Sequence, residues 1–195
     1  LKVHPSAHVH VLPVEAGFVG ADNVGVLIAE EPYRQDAMVL IIDIGTNGEL
    51  VMGNRKKLLS SSCATGPALE GAHIKFGMRA APGAIERVRI DPNTLEVNFK
   101  TIGEKDWHLE SRSASAVGIC GSGIIDVVAE LFRNKIILPG GRFSDDTPSS
   151  RLRNSGQGPE FVVVWRDETS IGKDITITQQ DIRNVQLAKG ALYAG

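Results

Sequence analysis

Apolar positions along the chain fall into short runs whose spacing changes from one stretch to the next. Val9, Val11 and Val14 predict a short strand over residues 9–14. After Gly20-Ala21-Asp22, the residues Val24, Leu27 and Ile28 recur at helical spacing, and Pro32 predicts the end of that helix. Residues 38–44 are apolar almost throughout, the pattern of a strand buried on both faces. Gly45-Thr46-Asn47-Gly48 supplies a turn, residues 49–52 a second strand, Gly53-Asn54 a second turn and residues 57–61 a third strand. The expected unit is a three-stranded antiparallel meander.

Farther on, Pro67 suits a first helical turn, and Leu69, Ala72 and Phe76 would form its buried stripe before Gly77. Residues 85–90 and 95–99, separated by Asp91-Pro92-Asn93, read as a hairpin with one wet face. The string Gly118-Ile119-Cys120-Gly121-Ser122-Gly123 precedes a helix that places Ile124, Val128, Leu131 and Phe132 on one side and Asp126, Glu130 and Arg133 on the other, with Ser122 as the expected N-cap. Residues 139–160, rich in Gly, Ser, Pro and charge, predict a surface loop ahead of an apolar strand over residues 161–165. Thr178-Gln179-Gln180-Asp181 resembles a helix start, with Ile182, Val185 and Leu192, and also Leu187, Ala191 and Ala194, at helical spacing. Strands mixed with helices in this order predict an α/β fold.

Composition narrows the function classes. The 195 residues are 42% hydrophobic and 23% charged, which excludes a disordered chain. Lys and Arg number 21 against 23 Asp and Glu, so no basic stripe invites nucleic acid. The longest apolar run, residues 37–42, is far below the roughly 20 residues that span a bilayer, and no membrane partner is expected. Cys63 and Cys120 are too few for a disulfide framework or a four-thiolate cluster, and a reducing cytoplasm is the expected location. Leu1 replaces a starting Met and the last helix is still running at Gly195, so a fragment is expected.

Candidate chemistry concentrates in residues 39–50. An aspartate ending an apolar strand is costly unless a cation, amides or water satisfies it, which makes Asp43 a candidate Mg²⁺ ligand through water. Gly45 and Gly48 let backbone amides approach phosphate oxygens, while Thr46 and Asn47 add side-chain donors. The competing reading is a plain hairpin turn with a solvated Asp. Asp22 is either a base or magnesium organiser or a carboxylate interacting with its helix dipole; Glu49 is either a second organiser or an exposed strand residue. Gly121, Ser122 and Gly123 suit an anion at a helix N-terminus or simple capping. Cys63 and Cys120 read as small buried hydrophobes. His4, His8 and His10 have spacings that a metal could use but no partner cysteine, and Arg79 reads as a cation completing a helix C-terminus.

The strings Asp43-Ile44-Gly45-Thr46-Asn47-Gly48-Glu49-Leu50, Ala64-Thr65-Gly66-Pro67-Ala68-Leu69-Glu70-Gly71-Ala72 and Gly118-Ile119-Cys120-Gly121-Ser122-Gly123-Ile124-Ile125-Asp126 resemble, in the same order, the reductive activators of corrinoid proteins. These are ATPases of the ASKHA superfamily, which also includes sugar kinases, actin and heat-shock chaperones. The resemblance implies an RNase H-like ASKHA half-domain, a mixed sheet opened by the meander with packed helices. It implies residues 1–36 as the tail of a preceding half with its connecting helix, and residues 37–195 as a second half truncated at its C-terminus. It implies ATP and Mg²⁺ at Asp43, Gly45, Thr46, Asn47, Gly48 and Glu49 with Asp22 nearby, and nucleotide contact at Gly121, Ser122 and Gly123. It further implies an iron-sulfur cluster in a domain outside this chain and a corrinoid protein of a methyltransferase system as partner. The implied reaction reduces cob(II)amide to cob(I)amide, and a homodimer is possible. A small-molecule kinase of the same superfamily and a non-catalytic docking module are the alternatives.

Overall fold

A computed structural model describes residues 2–195. Helix α1 (Ala21–Glu30) leads through a single 3-10 turn (Pro32–Arg34) into an antiparallel meander of β1 (Val39–Ile44), β2 (Gly48–Asn54) and β3 (Lys57–Cys63). Its register pairs Ile44 with Gly48 and Gly48 with Cys63, which leaves Gly45, Thr46 and Asn47 as the connecting turn. The expected meander and α/β class are both present.

The remaining strands form two further three-stranded sheets. In one, β4 (Ala84–Ile90) lies between antiparallel β5 (Val97–Thr101) and parallel β6 (Gly118–Ile119). In the other, β8 (Pro159–Val164) lies between β7 (Leu152–Asn154) and β9 (Ile175–Thr178), both antiparallel to it. Helix α2 (His108–Ser111) is a single turn; α3 (Gly121–Arg133) and α4 (Gln179–Ala194) are the long helices. Ile85, Phe99, Ile119, Ile124, Leu131, Phe161, Ile177 and Ile182 are buried in one cluster that joins these two sheets to α3 and α4. That cluster is the main hydrophobic driving force of the fold.

Several local expectations are corrected. Residues 9–14 form no strand, and Val9, Val11 and Val14 are exposed, because alternation gives a strand only where a neighbour completes its ladder. Strand β1 is not buried on both faces: it is an edge strand whose Leu40, Ile42 and Ile44 stand about half exposed. After Pro67 only a 3-10 turn (Pro67–Glu70) forms. Gly71 stops it at a positive φ of 86°, packed so closely on the backbone of Met78 that a Cβ would collide, and Ala72 is exposed while Ile74 takes the core position. In α3 the buried residues are Gly123, Ile124, Val127 and Leu131, while Phe132 is 53% exposed and Glu130 turns inward to accept from Ile90 N. Residues 139–160 include β7, and Leu187 of α4 is exposed.

Helix α4 matches its sequence signal more closely. Thr178 Oγ1 accepts from Asp181 N and Asp181 Oδ2 accepts from Thr178 N, a reciprocal cap. The other oxygen of Asp181 accepts from Lys75 N at 3.0 Å, and Asn184 Nδ2 donates to His73 O at 2.8 Å. The start of α4 therefore fixes residues 73–75, just past the turn that carries Glu70.

Candidate functional site

The turn between β1 and β2 is fixed from one side. Thr65 Oγ1 lies 2.6 Å from Gly45 O and 2.9 Å from Thr46 O, and Gly66 N donates to Thr46 O at 2.9 Å. A trans peptide carries its N–H opposite its C=O, so the amides of Thr46 and Asn47 point away from Thr65. Thr65 itself is buried, as its packing role requires.

On the open side of the turn lies a polar cleft of about 300 Å³ lined by Asp22, Asp43, Gly45, Thr46, Asn47, Glu49 and Glu70. Asp43 arrives as the next-to-last residue of β1, directly across from Glu49 on β2. Asp22 arrives from the first turn of α1, where its Oδ1 accepts from Asn23 N. The structure thus brings Asp22, Asp43 and Glu49 together with Gly45, Thr46 and Asn47. Among the described residues no Lys, Arg or His lines the cleft.

The electrostatics follow from that lining. Glu49 is buried, and its carboxyl is pushed above the ordinary value of 4.5, first by burial and then by the charges of Asp22 and Asp43; Ser62 offsets this in part. An arrangement of carboxylates with donors beside them and no internal cation is suited to a polyanion that arrives with its own divalent cation. Among the described residues no group of three or more His, Cys, Asp or Glu forms a cage for a metal ion.

Other predicted site residues are placed differently. Gly48 opens β2 and does not line the cleft; its Cα faces Leu192 Cδ2 and Thr65 Cγ2, 2.6 Å and 2.9 Å from where a Cβ would stand, so close packing explains this glycine. Gly121 and Gly123 do not line the cleft: a Cβ on Gly121 would strike the Leu69 carbonyl oxygen, and one on Gly123 the Ile85 carbonyl oxygen. Cys120, not Ser122, is the N-cap of α3; Ser122 is the second residue of the first turn and does not line the cleft. Cys63 and Cys120 are both free and buried. His4 Nδ1 accepts from Ser6 N, and His73 sits at a positive φ of 61° in the segment that follows Gly71.

Two residues of the site escaped the sequence reading. Thr65 and Glu70 both lie in Ala64-Thr65-Gly66-Pro67-Ala68-Leu69-Glu70, a string that carried the family resemblance and a helix start at Pro67 but no site role for either residue. Glu70 Oε1 accepts from Thr46 Oγ1 at 2.5 Å, a contact across 24 positions that no local pattern encodes.

Residues 37–195 match the family described as the C-terminal domain of RACo, the ASKHA domain. The chain is 40% identical over 202 residues to the corrinoid activation enzyme RamQ of Eubacterium limosum, covering all of this chain and 32% of that protein. It is 27% identical over 187 residues to the [Co(II) methylated amine-specific corrinoid protein] reductase of Methanosarcina barkeri, covering 90% of this chain and 31% of that protein. Among solved structures it resembles a reductive activator for corrinoid,iron-sulfur protein with a TM-score of 0.86 and 42% identity, covering 94% of this chain and 28% of the other. The chain therefore spans about a third of the length of the relatives it matches. On these matches the chain belongs to the family of RACo C-terminal ASKHA domains.

Proposed function

We propose that this chain is the nucleotide-binding part of an ATP-dependent reductive activator, which drives the cob(II)amide of a corrinoid protein to cob(I)amide. The observation that carries the reading is the Gly45-Thr46-Asn47 turn, fixed by Thr65 and opening on a carboxylate-lined cleft, in a chain whose relatives are named for corrinoid activation and reduction. The residues fit Mg·ATP: Gly45 keeps the turn free of a side chain, Thr46 and Asn47 offer donors, and Asp43 supplies a hard oxygen ligand through water.

In this reading Asp43 and Glu49 orient the water shell of the ion, and Asp22 acts as the base that positions the attacking water. Magnesium, when bound, neutralises phosphate charge that these carboxylates would otherwise repel. Gly121 and Gly123 act indirectly, letting α3 back onto Leu69 and Ile85 and so supporting the turn that carries Glu70. Residues 1–36 belong to the preceding half of the fold, placing Asp22 across the cleft from Asp43. Electrons come from an iron-sulfur group outside these residues, because Cys63 and Cys120 are separate and buried. Nucleotide drives the uphill transfer by favouring a conformation with a different affinity for the corrinoid protein. That partner belongs to a methyltransferase system, and a second copy of the chain completes a homodimer.

Calorimetric titration of Mg·ATP into the chain and into Asp43→Asn tests the site. Binding by the first with loss in the second is expected; equal binding would make the turn purely structural. The activity is tested on the longer protein by following cobalt reduction in a corrinoid protein, and an unchanged rate on adding Mg·ATP would refute it.

A further inference from the structure

Glu70 occupies the position in front of the phosphate-type turn. Its Oε1 accepts from the Thr46 hydroxyl at 2.5 Å and stands 3.7 Å from the point where a Cβ on Gly45 would lie, which is the space that glycine leaves open. The side chain is exposed, yet its backbone is anchored. Gly71, at a positive φ, closes the Pro67–Glu70 turn with its N–H on Ala68 O, and Gly71 is pressed against the Met78 backbone. Residues 73–75 are clamped by Asp181 and Asn184. The backbone that carries this carboxylate is held on both sides of the turn, and its one side-chain hydrogen bond is to Thr46.

Building on the nucleotide reading above, we infer that Glu70 determines the form in which phosphate is accepted: it admits a phosphate carried by a divalent cation and rejects the bare anion. A phosphate oxygen reaching for the Thr46 hydroxyl must approach the atom that already accepts from it. Between two anions at such a distance the interaction is repulsive, and no Lys or Arg in the lining relieves it. A divalent cation between them reverses the sign, since a carboxylate and phosphate oxygens are the ligands such an ion prefers. Selectivity then arises from a deliberately unfavourable charge facing the wrong ligand. Glu70 is a specificity-determining residue, and neither Asp43 nor Glu49 touches the Thr46 donor in its place.

The test is calorimetric titration of ATP with excess Mg²⁺, and of ATP with EDTA, into this chain and into Glu70→Gln, Glu70→Ala and Glu70→Asp. The chain and Glu70→Asp, which keeps the charge, are expected to prefer Mg·ATP strongly. Glu70→Gln and Glu70→Ala are expected to lose about tenfold or more of that preference, through tighter binding of metal-free ATP and weaker binding of Mg·ATP. Circular dichroism confirms the fold of each variant, and two charge-removing variants guard against one that fails to fold. An undiminished magnesium preference in Glu70→Gln and Glu70→Ala overturns the role of Glu70 while leaving the nucleotide site in place. Failure of the unaltered chain to bind either form overturns the nucleotide reading itself, and this inference with it.

Discussion

Two groups of carboxylates in this protein are treated in opposite ways. Glu160, 2% exposed on β8, accepts from Lys75 Nζ at 2.6 Å, Arg153 Nε at 3.1 Å and Thr176 Oγ1 at 3.1 Å. Arg153 also holds Asp174 at 2.7 Å. Burial alone would push the Glu160 carboxyl up, but the hydrogen bonds from Lys75, Arg153 and Thr176 outweigh it and hold the group below its ordinary 4.5. Asp22, Asp43, Glu49 and Glu70 share a cleft with no cation in its lining, and Glu49 is pushed the other way. The first group is a joint that ties residue 75 to the β7–β9 sheet. The second has no such partners, and it is the cleft on which the proposed nucleotide site rests.

Substitutions can break this contrast from either side. The largest effect is expected at the joint: Glu160→Ala leaves Thr176 buried without its partner and unties Lys75 and Arg153, at a cost of about 3 kcal/mol in chemical denaturation. Asp181→Ala removes the α4 cap and the acceptor for Lys75 N, and is expected to cost about 2 kcal/mol by the same measurement. In the cleft the sign reverses. Glu49→Gln relieves burial of a charge beside Asp22 and Asp43, and a gain of about 1 kcal/mol in unfolding free energy at neutral pH is expected by chemical denaturation.

The smallest effect is the slope with pH, and it separates the two groups. Glu160, with a lowered folded value, contributes stability that is present above 4.5 and lost as the pH falls through that lowered value. Glu49, with a raised folded value, contributes relative stability that is full below 4.5 and lost as the pH rises through the raised value. The advantage of Glu49→Gln over the unaltered chain should accordingly shrink on acidification and vanish below about pH 4.5. An advantage independent of pH would mean that charge is not its cause.

The sequence showed the parts of this picture that are locally encoded. The meander follows from apolar runs broken by Gly-Thr-Asn-Gly and Gly-Asn, and the α4 cap from Thr178 and Asp181 three positions apart. Asp43, Thr46 and Asn47 were legible for the same reason, because strand end and turn are contiguous. What local pattern does not carry is long-range placement. Glu70 reaches Thr46 only because Gly71 stops the turn against Met78, which removes the helix that Leu69, Ala72 and Phe76 spell out. Gly121 and Gly123 look like an anion site in sequence, and their true neighbours, the carbonyls of Leu69 and Ile85, are visible only once the chain has folded. Likewise β1 reads as central by composition and is an edge strand by topology.

The central claim is that the Asp22, Asp43, Glu49 and Glu70 cleft is completed by a cation-bound nucleotide. The most direct test is the unfolding free energy of the chain with and without saturating Mg·ATP, beside Asp43→Asn. The account predicts a stabilisation of about 2.7 kcal/mol when the ligand stands at a hundred times its dissociation constant, abolished by Asp43→Asn and absent with Mg²⁺ alone. Equal stability with and without Mg·ATP, or an equal gain in Asp43→Asn, would contradict it.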